Sequence, residues 1–134
     1  MIFLDSSFLI ALEVATDQNH EKARIMRDKI IVGEFGDAII SDYIFDETVT
    51  VTLNKTKDMK KTKLVGENLK KSAEIKMTDR DIFEDSWEIF ANQKKTKFSF
   101  TDCTILSIML KDGVKNLATF DKEFEKIEGI RIIR

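Results

Sequence analysis

Residues 1–10 read MIFLDSSFLI: four apolar side chains, then an abrupt change to polar character at Asp5. An apolar run this short predicts a buried strand, and Ser6 and Ser7 are residues that cap a following helix. Similar short runs recur along the chain between helical patterns. We therefore expect five strands, at residues 1–4, 37–40, 74–77, 116–120 and 130–133.

The segments between these runs predict helices. The expected spans are 6–15, 20–31 after a cap at Asp17 or Asn19, 41–55, 57–71, a helix through Phe83, Trp87 and Phe90, 100–112, and a short turn after Asp121. Thr48–Thr52 alternates like a strand, but Ser41 and Asp42 make a good helix start, so we expect a helix there. Thr78 and Asp81 resemble a capping box for the fifth helix. Strands that alternate with helices indicate βαβ units and a mainly parallel sheet covered on both faces.

Composition limits the protein class. With 134 residues, of which 43% are hydrophobic and 34% charged, the chain suits one globular domain. The net charge of −2 does not decide about nucleic acid, because a local patch sets the field. The single cysteine, Cys103, and the absence of a signal-peptide pattern predict a cytoplasmic location. No run reaches the roughly 18 apolar residues of a membrane helix, so we expect no membrane association.

Three acids stand where a ligand site is expected. Asp5 directly follows the first strand and Asp121 follows the fourth, and ligands gather at the carboxyl ends of parallel strands. Asp102 lies in the single apolar stripe expected on the helix 100–112, with Ile105 and Met109, while Thr104 is expected on the opposite, outer side. In this stripe an ionised carboxylate costs several kcal/mol unless it is paired, capped or bound to a metal. Each acid also has an ordinary interpretation, since Asp5 and Asp121 suit helix N-caps and Asp102 suits a first helical turn.

The helix 41–55 carries two further acids at the borders of its apolar arc, Asp46 and Glu47, and helical geometry does not choose between them. A cluster of unpaired carboxylates repels itself and persists mainly where a divalent cation uses it. Oxygen ligands suit Mg²⁺ or Mn²⁺. One histidine, His20, and one cysteine are too few for a zinc or iron site. A serine or cysteine nucleophile would need a histidine base, and His20 is the only histidine, so this chemistry fits poorly.

Five segments, in this order and spacing, resemble a PIN-domain protein of the small VapC toxin type. They are IFLDSSFLIAL (2–12), DQNHEKA (17–23), AIISDYIFDE (38–47), FSFTDCTILSIML (98–110) and LATFDKEFEKI (117–127). The resemblance covers nearly the whole chain. It implies a single PIN domain over residues 1–134 with a three-layer α/β/α sandwich and a mostly parallel sheet of about five strands.

The same resemblance implies a site and partners. It assigns Mg²⁺ or Mn²⁺ binding and catalysis to Asp5, Glu47, Asp102 and Asp121, supported by Ser6, Ser7 and Thr119. The implied activity is an endoribonuclease that leaves a 3′-hydroxyl and a 5′-phosphate, as the toxin of a toxin–antitoxin pair. The implied partners are RNA, a second copy in a homodimer, and a cognate antitoxin that occupies the acidic groove.

Several alternatives stay open. Lysines that suit RNA contact, or simply a solvated helix face, are Lys55, Lys57, Lys60, Lys61, Lys94 and Lys95. Phe35, Tyr43 and Phe98 suit either partner contacts or the core. The rival functions are a PIN-fold module that binds RNA or protein without cutting, and a metal-dependent phosphatase or receiver-like domain acting on small phosphates.

Overall fold

The computed structural model describes residues 1–134 and contains the expected alternation of strands and helices. The strands are β1 Ile2–Leu4, β2 Ala38–Ser41, β3 Glu74–Lys76, β4 Asn116–Ala118 and β5 Arg131–Ile133. The helices are α1 Ser6–Glu13, α2 His20–Ile31, α3 Asp42–Thr56, α4 Met59–Ser72, α5 Arg80–Asn92 and α6 Phe100–Asp112, followed by a 3-10 helix, Lys122–Lys126. Every predicted strand is present, and the α/β prediction is confirmed.

The five strands form one sheet in the order β3-β2-β1-β4-β5, and all four neighbouring pairs are parallel. The central strand β1 pairs with β2 on one side and β4 on the other, so that Phe3 lies opposite both Ile39 and Leu117. The chain winds outward from β1 to β3 and then crosses back to β4. Right-handed crossovers place α1–α4 on one face and α5 and α6 on the other, which gives the three-layer sandwich.

The core lies on both faces of this sheet. Phe3, Ile39 and Leu117 have no exposed surface, as expected for central parallel strands covered on both sides. Helix α6 is buried around most of its circumference, and Thr104, which its pattern placed on the outer side, is completely buried. The expectation of a single apolar stripe on α6 was therefore wrong. None of the helices is long and apolar enough to span a membrane.

Two helix starts differ from the prediction. Helix α5 is capped by Asp79, which accepts a hydrogen bond from Ile82 N at 2.9 Å, and not by a Thr78–Asp81 pair. The Thr78 hydroxyl instead donates to Asp42 Oδ1 at 2.6 Å, a partner 36 residues away that the local pattern does not reveal. Helix α4 starts at Met59, because Lys57 adopts a left-handed conformation (φ 55°) that ends α3.

The disputed segment Thr48–Thr52 is helical, as expected. Ser41, the last residue of β2, caps α3 by accepting a hydrogen bond from Ile44 N at 3.1 Å. This cap starts the helix directly after the strand. At α1 the cap position is Asp5 and not a serine, and the helix ends at Glu13, before the predicted Ala15.

Candidate active site

The site lies where the winding of the sheet reverses. Strands β1 and β4 are neighbours, and the connections that follow them leave toward opposite sides of the sheet. In open parallel sheets this reversal opens a crevice at the carboxyl ends of the two strands. Asp5 follows β1 and Asp121 lies three residues after the end of β4, so both acids lie at this crevice, as the sequence predicted.

Asp5 occupies a helix N-cap position but does not cap the helix, so the ordinary interpretation of this acid does not hold. The residue is 3% exposed, and its Oδ2 accepts hydrogen bonds from Ser7 Oγ at 2.5 Å and Thr119 Oγ1 at 2.6 Å. Those hydroxyls in turn accept from the backbone N–H groups of Phe120 and Asp121, both at 3.0 Å. Two short chains of hydrogen bonds thus connect Asp5 to the segment that carries Asp121.

Glu47 reaches the same place from α3. Its Oε2 accepts a hydrogen bond from Ser6 Oγ at 2.5 Å, and this hydroxyl also lies 3.4 Å from Asp5 Oδ1. Asp46 accepts a 3.4 Å hydrogen bond from Thr50 on the exposed side of its own helix. The structure therefore brings Glu47, and not Asp46, next to Asp5.

Asp102 lies in the first turn of α6, where it forms a reciprocal capping box with Ser99. Its Oδ2 accepts from Ser99 N at 2.7 Å and from Ser99 Oγ at 2.8 Å, so the ordinary first-turn interpretation also describes this acid. Burial, with smaller contributions from the negative charges of Asp5 and Asp121, raises the pKa of Asp102 to about 6, against the lowering effect of the hydrogen bonds from Ser99. Asp102 thus caps its helix and also feels the other acids of the site.

Asp121 caps the 3-10 helix, since its Oδ1 accepts from Glu123 N at 2.8 Å. Burial likewise raises the pKa of Asp5, with a smaller contribution from Glu47 and an opposing effect of the three serine and threonine hydrogen bonds. The mutual effects show that the acids lie close enough to repel one another. All three predicted supporting residues, Ser6, Ser7 and Thr119, contact Asp5.

No lysine or arginine pairs with any of the four acids. Each carboxylate uses one oxygen for short hydrogen bonds to the protein. The second oxygen is free in Glu47 (Oε1), Asp102 (Oδ1) and Asp121 (Oδ2), while in Asp5 (Oδ1) it accepts only the long 3.4 Å hydrogen bond from Ser6 Oγ. Hard oxygen donors without a protein cation fit Mg²⁺ or Mn²⁺ in chemistry. The side chains do not already converge, since no three of them are arranged to hold an ion, so binding requires the free oxygens to be drawn together.

The predicted RNA-contacting lysines fall into two groups. Lys55 and Lys57 end α3, and Lys60 and Lys61 begin α4. Lys61 already has a partner within the protein, because its ammonium donates a hydrogen bond to the carbonyl of Glu13. Lys94 and Lys95 lie in the connection that leads into α6 and Asp102.

The aromatic residues divide differently from the expectation. Phe98 is a core residue, 4% exposed, with its ring 4.9 Å from that of Phe124. Phe83, Trp87 and Phe90 do share one face of α5, but they are 46%, 50% and 37% exposed. The main exposed aromatic surface is therefore on α5, and its amphipathic pattern alone did not show that this face lacks a covering element.

A groove between the helices of one face lies away from the acids. It has a volume of about 890 Å³ and runs between α1, α2 and α4, with Leu9, Leu12, Ile30 and Leu69 among its lining residues. None of the four acids lines it. Sequence reasoning also missed the role of Ser99 as a carboxylate partner, although the S-x-x-D spacing to Asp102 is a capping-box signal.

Comparison with known proteins identifies relatives of this arrangement. The family model of the PIN domain matches residues 2–130. The chain is 28% identical to the 23S rRNA-specific endonuclease VapC20 of Mycobacterium tuberculosis, over 92% of each protein, and 24% identical to Ribonuclease VapC6 of Methanocaldococcus jannaschii, over 99% of this chain and 96% of that protein.

Solved structures share the fold. The crystal structure of Mycobacterium tuberculosis VapC20, described as a sarcin-ricin loop cleaving toxin, matches with a TM-score of 0.83 at 24% identity over 97% of each chain. A toxin–antitoxin complex from Klebsiella pneumoniae matches with a TM-score of 0.67 at 18% identity, covering 100% of this chain and 97% of that one.

Proposed function

The chain belongs to the PIN domain family, and on that premise we propose that it is a metal-dependent endoribonuclease whose one PIN domain spans residues 1–134. The observation that carries the proposal is the set of four carboxylates, none paired with a protein cation and each with one oxygen that makes no short hydrogen bond to the protein. The relatives named as ribonucleases support RNA as the substrate.

In this proposal Asp5, Glu47, Asp102 and Asp121 would hold Mg²⁺ or Mn²⁺. A divalent cation held there would supply Lewis acidity, which would lower the pKa of a water molecule and polarise the scissile phosphate. The chain's own hydroxyls keep the ligands in place: Ser7 and Thr119 hold one oxygen of Asp5, and Ser6 holds one oxygen of Glu47. The expected products are a 3′-hydroxyl and a 5′-phosphate.

The protonation state of Asp102 also affects the proposed activity. Asp102, with its pKa near 6, is ionised only above that pH in the absence of a cation. Ser99 fixes one of its oxygens through two hydrogen bonds, so that loss of the proton exposes the other oxygen as a ligand. Because a proton and a cation compete for this carboxylate, the proposal expects activity to need more metal as the pH falls below about 6.

The test is cleavage of a mixed RNA pool by the wild type and Asp102→Asn, with EDTA, Mg²⁺ and Mn²⁺ in parallel. We expect cutting in either metal, none in EDTA, and a loss of at least about 10²-fold in the variant. Asp112→Asn, an acid that pairs with Lys76 outside the site, is the control and should cut normally. Cleavage that persists in EDTA would contradict the metal-dependent mechanism.

The same relatives support a biological role as the toxin of a toxin–antitoxin pair, with a cognate antitoxin and a second copy of the chain as partners. The similarity to a toxin–antitoxin complex supports this role at the level of fold. Expression of the wild type should arrest growth, and Asp102→Asn should not. Normal growth with the wild type, at matched protein levels and with cutting shown in vitro, would remove the toxin role and leave the nuclease.

The rival is a PIN-fold module that binds without cutting. It predicts equal RNA binding in EDTA and in Mn²⁺ and no products under any condition. A phosphatase is tested by release of phosphate from a small aryl phosphate ester, which the nuclease proposal expects to be absent.

A further inference from the structure

The connection between α5 and α6, residues 93–99, is a basic loop. It carries Lys94, Lys95 and Lys97, all exposed, and none of them forms an ion pair. Three unpaired cations within four residues are a local concentration of positive charge beside a set of four acids. The charge of Lys97 lies near the carboxylate of Glu123, which itself pairs with Lys126, whereas Lys94 and Lys95 have no acidic partner. Exposed charges of this kind are available to a phosphate.

One side chain, Gln93, makes three hydrogen bonds within the loop. Gln93 Oε1 accepts from Phe98 N at 2.8 Å and from Thr96 Oγ1 at 3.1 Å, while Gln93 Nε2 donates to Phe98 O at 3.0 Å. The amide of Gln93 thereby pairs with both backbone groups of Phe98. The buried Phe98 ring, packed on Phe124, anchors the same point to the core.

Hydrogen bonds connect this loop to two of the four acids. Lys97 N donates to Glu123 Oε1 at 2.8 Å, and Glu123 N donates to Asp121 at the same distance. Two residues beyond Lys97, the backbone of Ser99 holds Asp102 at 2.7 Å. Lys97 is therefore connected to Asp121 through the side chain of Glu123. It also lies two residues before Ser99, which holds Asp102.

The lysines of α4 have no such connection. Lys61 donates to the Glu13 carbonyl, Lys70 pairs with Glu67, and no hydrogen bond links α4 to any of the four acids. Since exposed charges are screened within roughly 8 Å at physiological salt, only cations held beside the acids can offset their repulsion of the scissile phosphate.

Resting on the proposed nuclease function, we propose that loop 93–99 binds the RNA backbone next to the scissile phosphate. Lys94, Lys95 and Lys97 supply the charge, and Gln93 is the positioning residue that keeps them against Asp102 and Asp121. The probe is a fluorescently labelled 12-nucleotide single-stranded RNA, and binding is measured by anisotropy in EDTA, where no cutting occurs.

Lys95→Ala/Lys97→Ala should weaken binding by about tenfold at 50 mM salt and lower the slope of log K against log salt by about 1.4, since each contact on a single strand contributes about 0.7. Lys22→Ala/Lys29→Ala, which removes two exposed and unpaired lysines of α2, should leave both quantities unchanged. Lys60→Ala/Lys63→Ala is the competing arm on α4. The proposal is overturned if that pair carries the loss or if the loop pair binds like the wild type.

The role of Gln93 is tested separately. Gln93→Ala keeps all three lysines but frees the loop, and should weaken RNA binding several-fold with unchanged far-UV circular dichroism. Gln93→Met keeps the length and the neutral charge of the side chain but loses all three hydrogen bonds, so it should bind RNA as weakly as Gln93→Ala. Equal binding by all three proteins would remove Gln93 from this role.

The two proposals fail in different ways. If the protein cuts RNA in a metal-dependent way and the loop variant binds RNA like the wild type, the loop proposal is wrong and the nuclease proposal stands. If RNA binding depends on the loop but no cutting occurs in Mn²⁺, the loop proposal stands and the nuclease proposal is wrong.

Discussion

Adjacent acids at positions 46 and 47 provide a test at the scale of single residues. Glu47→Gln should reduce metal-dependent cleavage by about 10²-fold, because a neutral amide is a poor ligand for Mg²⁺. Asp46→Asn removes a charge one position away, where the carboxylate contacts only Thr50, and should change the rate less than twofold. The ratio of kcat/KM values for the two variants is the measurement. Equal losses would mean that the general charge of α3 matters and not a ligand at Glu47.

The sequence predicted three of the acids from their placement, whereas Glu47 required the family resemblance. Helical periodicity leaves Asp46 and Glu47 equivalent, since both border the apolar arc of α3. The difference arises from a contact between Ser6 and Glu47 across 41 residues, which no local pattern contains. Ser99 was recognisable as a helix start, but its second role on Asp102 depends on where α6 sits in the molecule.

Asp102 should lower the stability of the protein in the absence of metal. Its folded pKa of about 6 exceeds the ordinary value of 3.8, so the folded state binds more protons between those values. Stability from this group is therefore present at acid pH and is lost as the pH rises through about 4 to 6. Asp102→Asn has no proton to lose, and its carboxamide oxygen can still accept from Ser99. In EDTA at pH 7.5 the variant should melt roughly 4 °C or more above the wild type, about 1 kcal/mol for a domain of this size.

The pH dependence separates this explanation from a general effect of the amide. The gain in Tm of Asp102→Asn over the wild type should shrink at pH 4.5, where the wild-type carboxyl is protonated. A gain that is independent of pH, or a variant that is less stable at pH 7.5, would contradict it.

At the scale of elements, two glycines before β2 form a matched pair. Gly33 and Gly36 have φ values of +79° and +77°, a region that side chains rarely adopt. A Cβ on Gly36 would lie 2.9 Å from the backbone nitrogen of Met1, whereas one on Gly33 would meet nothing within 4 Å.

Gly33→Ala should cost about 1 kcal/mol of unfolding free energy from backbone strain alone. Gly36→Ala should cost clearly more, because the start of β1 must also move. Urea unfolding of the two variants measures the difference. Equal losses would show that the Met1 backbone yields freely at this contact.

Elements were predictable where local chemistry decides them. Ser41 capping α3, and Gly113 ending α6 with φ +66°, follow from residue type alone. The start of α5 was not predictable in the same way, because Asp42 withdraws the Thr78 hydroxyl from capping. The one-sided pattern expected of α6 failed because tertiary packing covers this helix nearly all round.

At the scale of the whole molecule, metal binding should stabilise the folded protein. A cation at ten times its dissociation constant adds about 1.4 kcal/mol by mass action. The increase in Tm with Mn²⁺ should be larger at pH 7.5 than at pH 5, because Asp5 and Asp102 both have raised pKa values and must release protons first. Thermal melts with and without Mn²⁺ measure this. An equal increase at both pH values, or an undiminished one in Asp102→Asn, would place the cation elsewhere.

The alternation of strands and helices predicted a parallel sheet, and the rule for carboxyl ends predicted that Asp5 and Asp121 lie at one edge. The order β3-β2-β1-β4-β5 was not accessible, because nothing in the individual strands records which neighbour each one takes. That order makes β1 and β4 adjacent and brings Asp5 and Asp121 to the same crevice of the sheet.

The distance along the chain between Asp5 and its partners has a consequence for synthesis. Thr119, which holds Asp5, follows it by 114 residues. A ribosome adding about 5 to 20 residues per second makes the first acid roughly 6 to 23 s before this partner. During that interval β1 also lacks β4, one of its two neighbours in the sheet. No unfinished chain that stops short of Asp121 carries the full acid set. If the four acids are the catalytic set, as proposed, the ribosome must therefore make Asp121 before the product has the means to attack RNA.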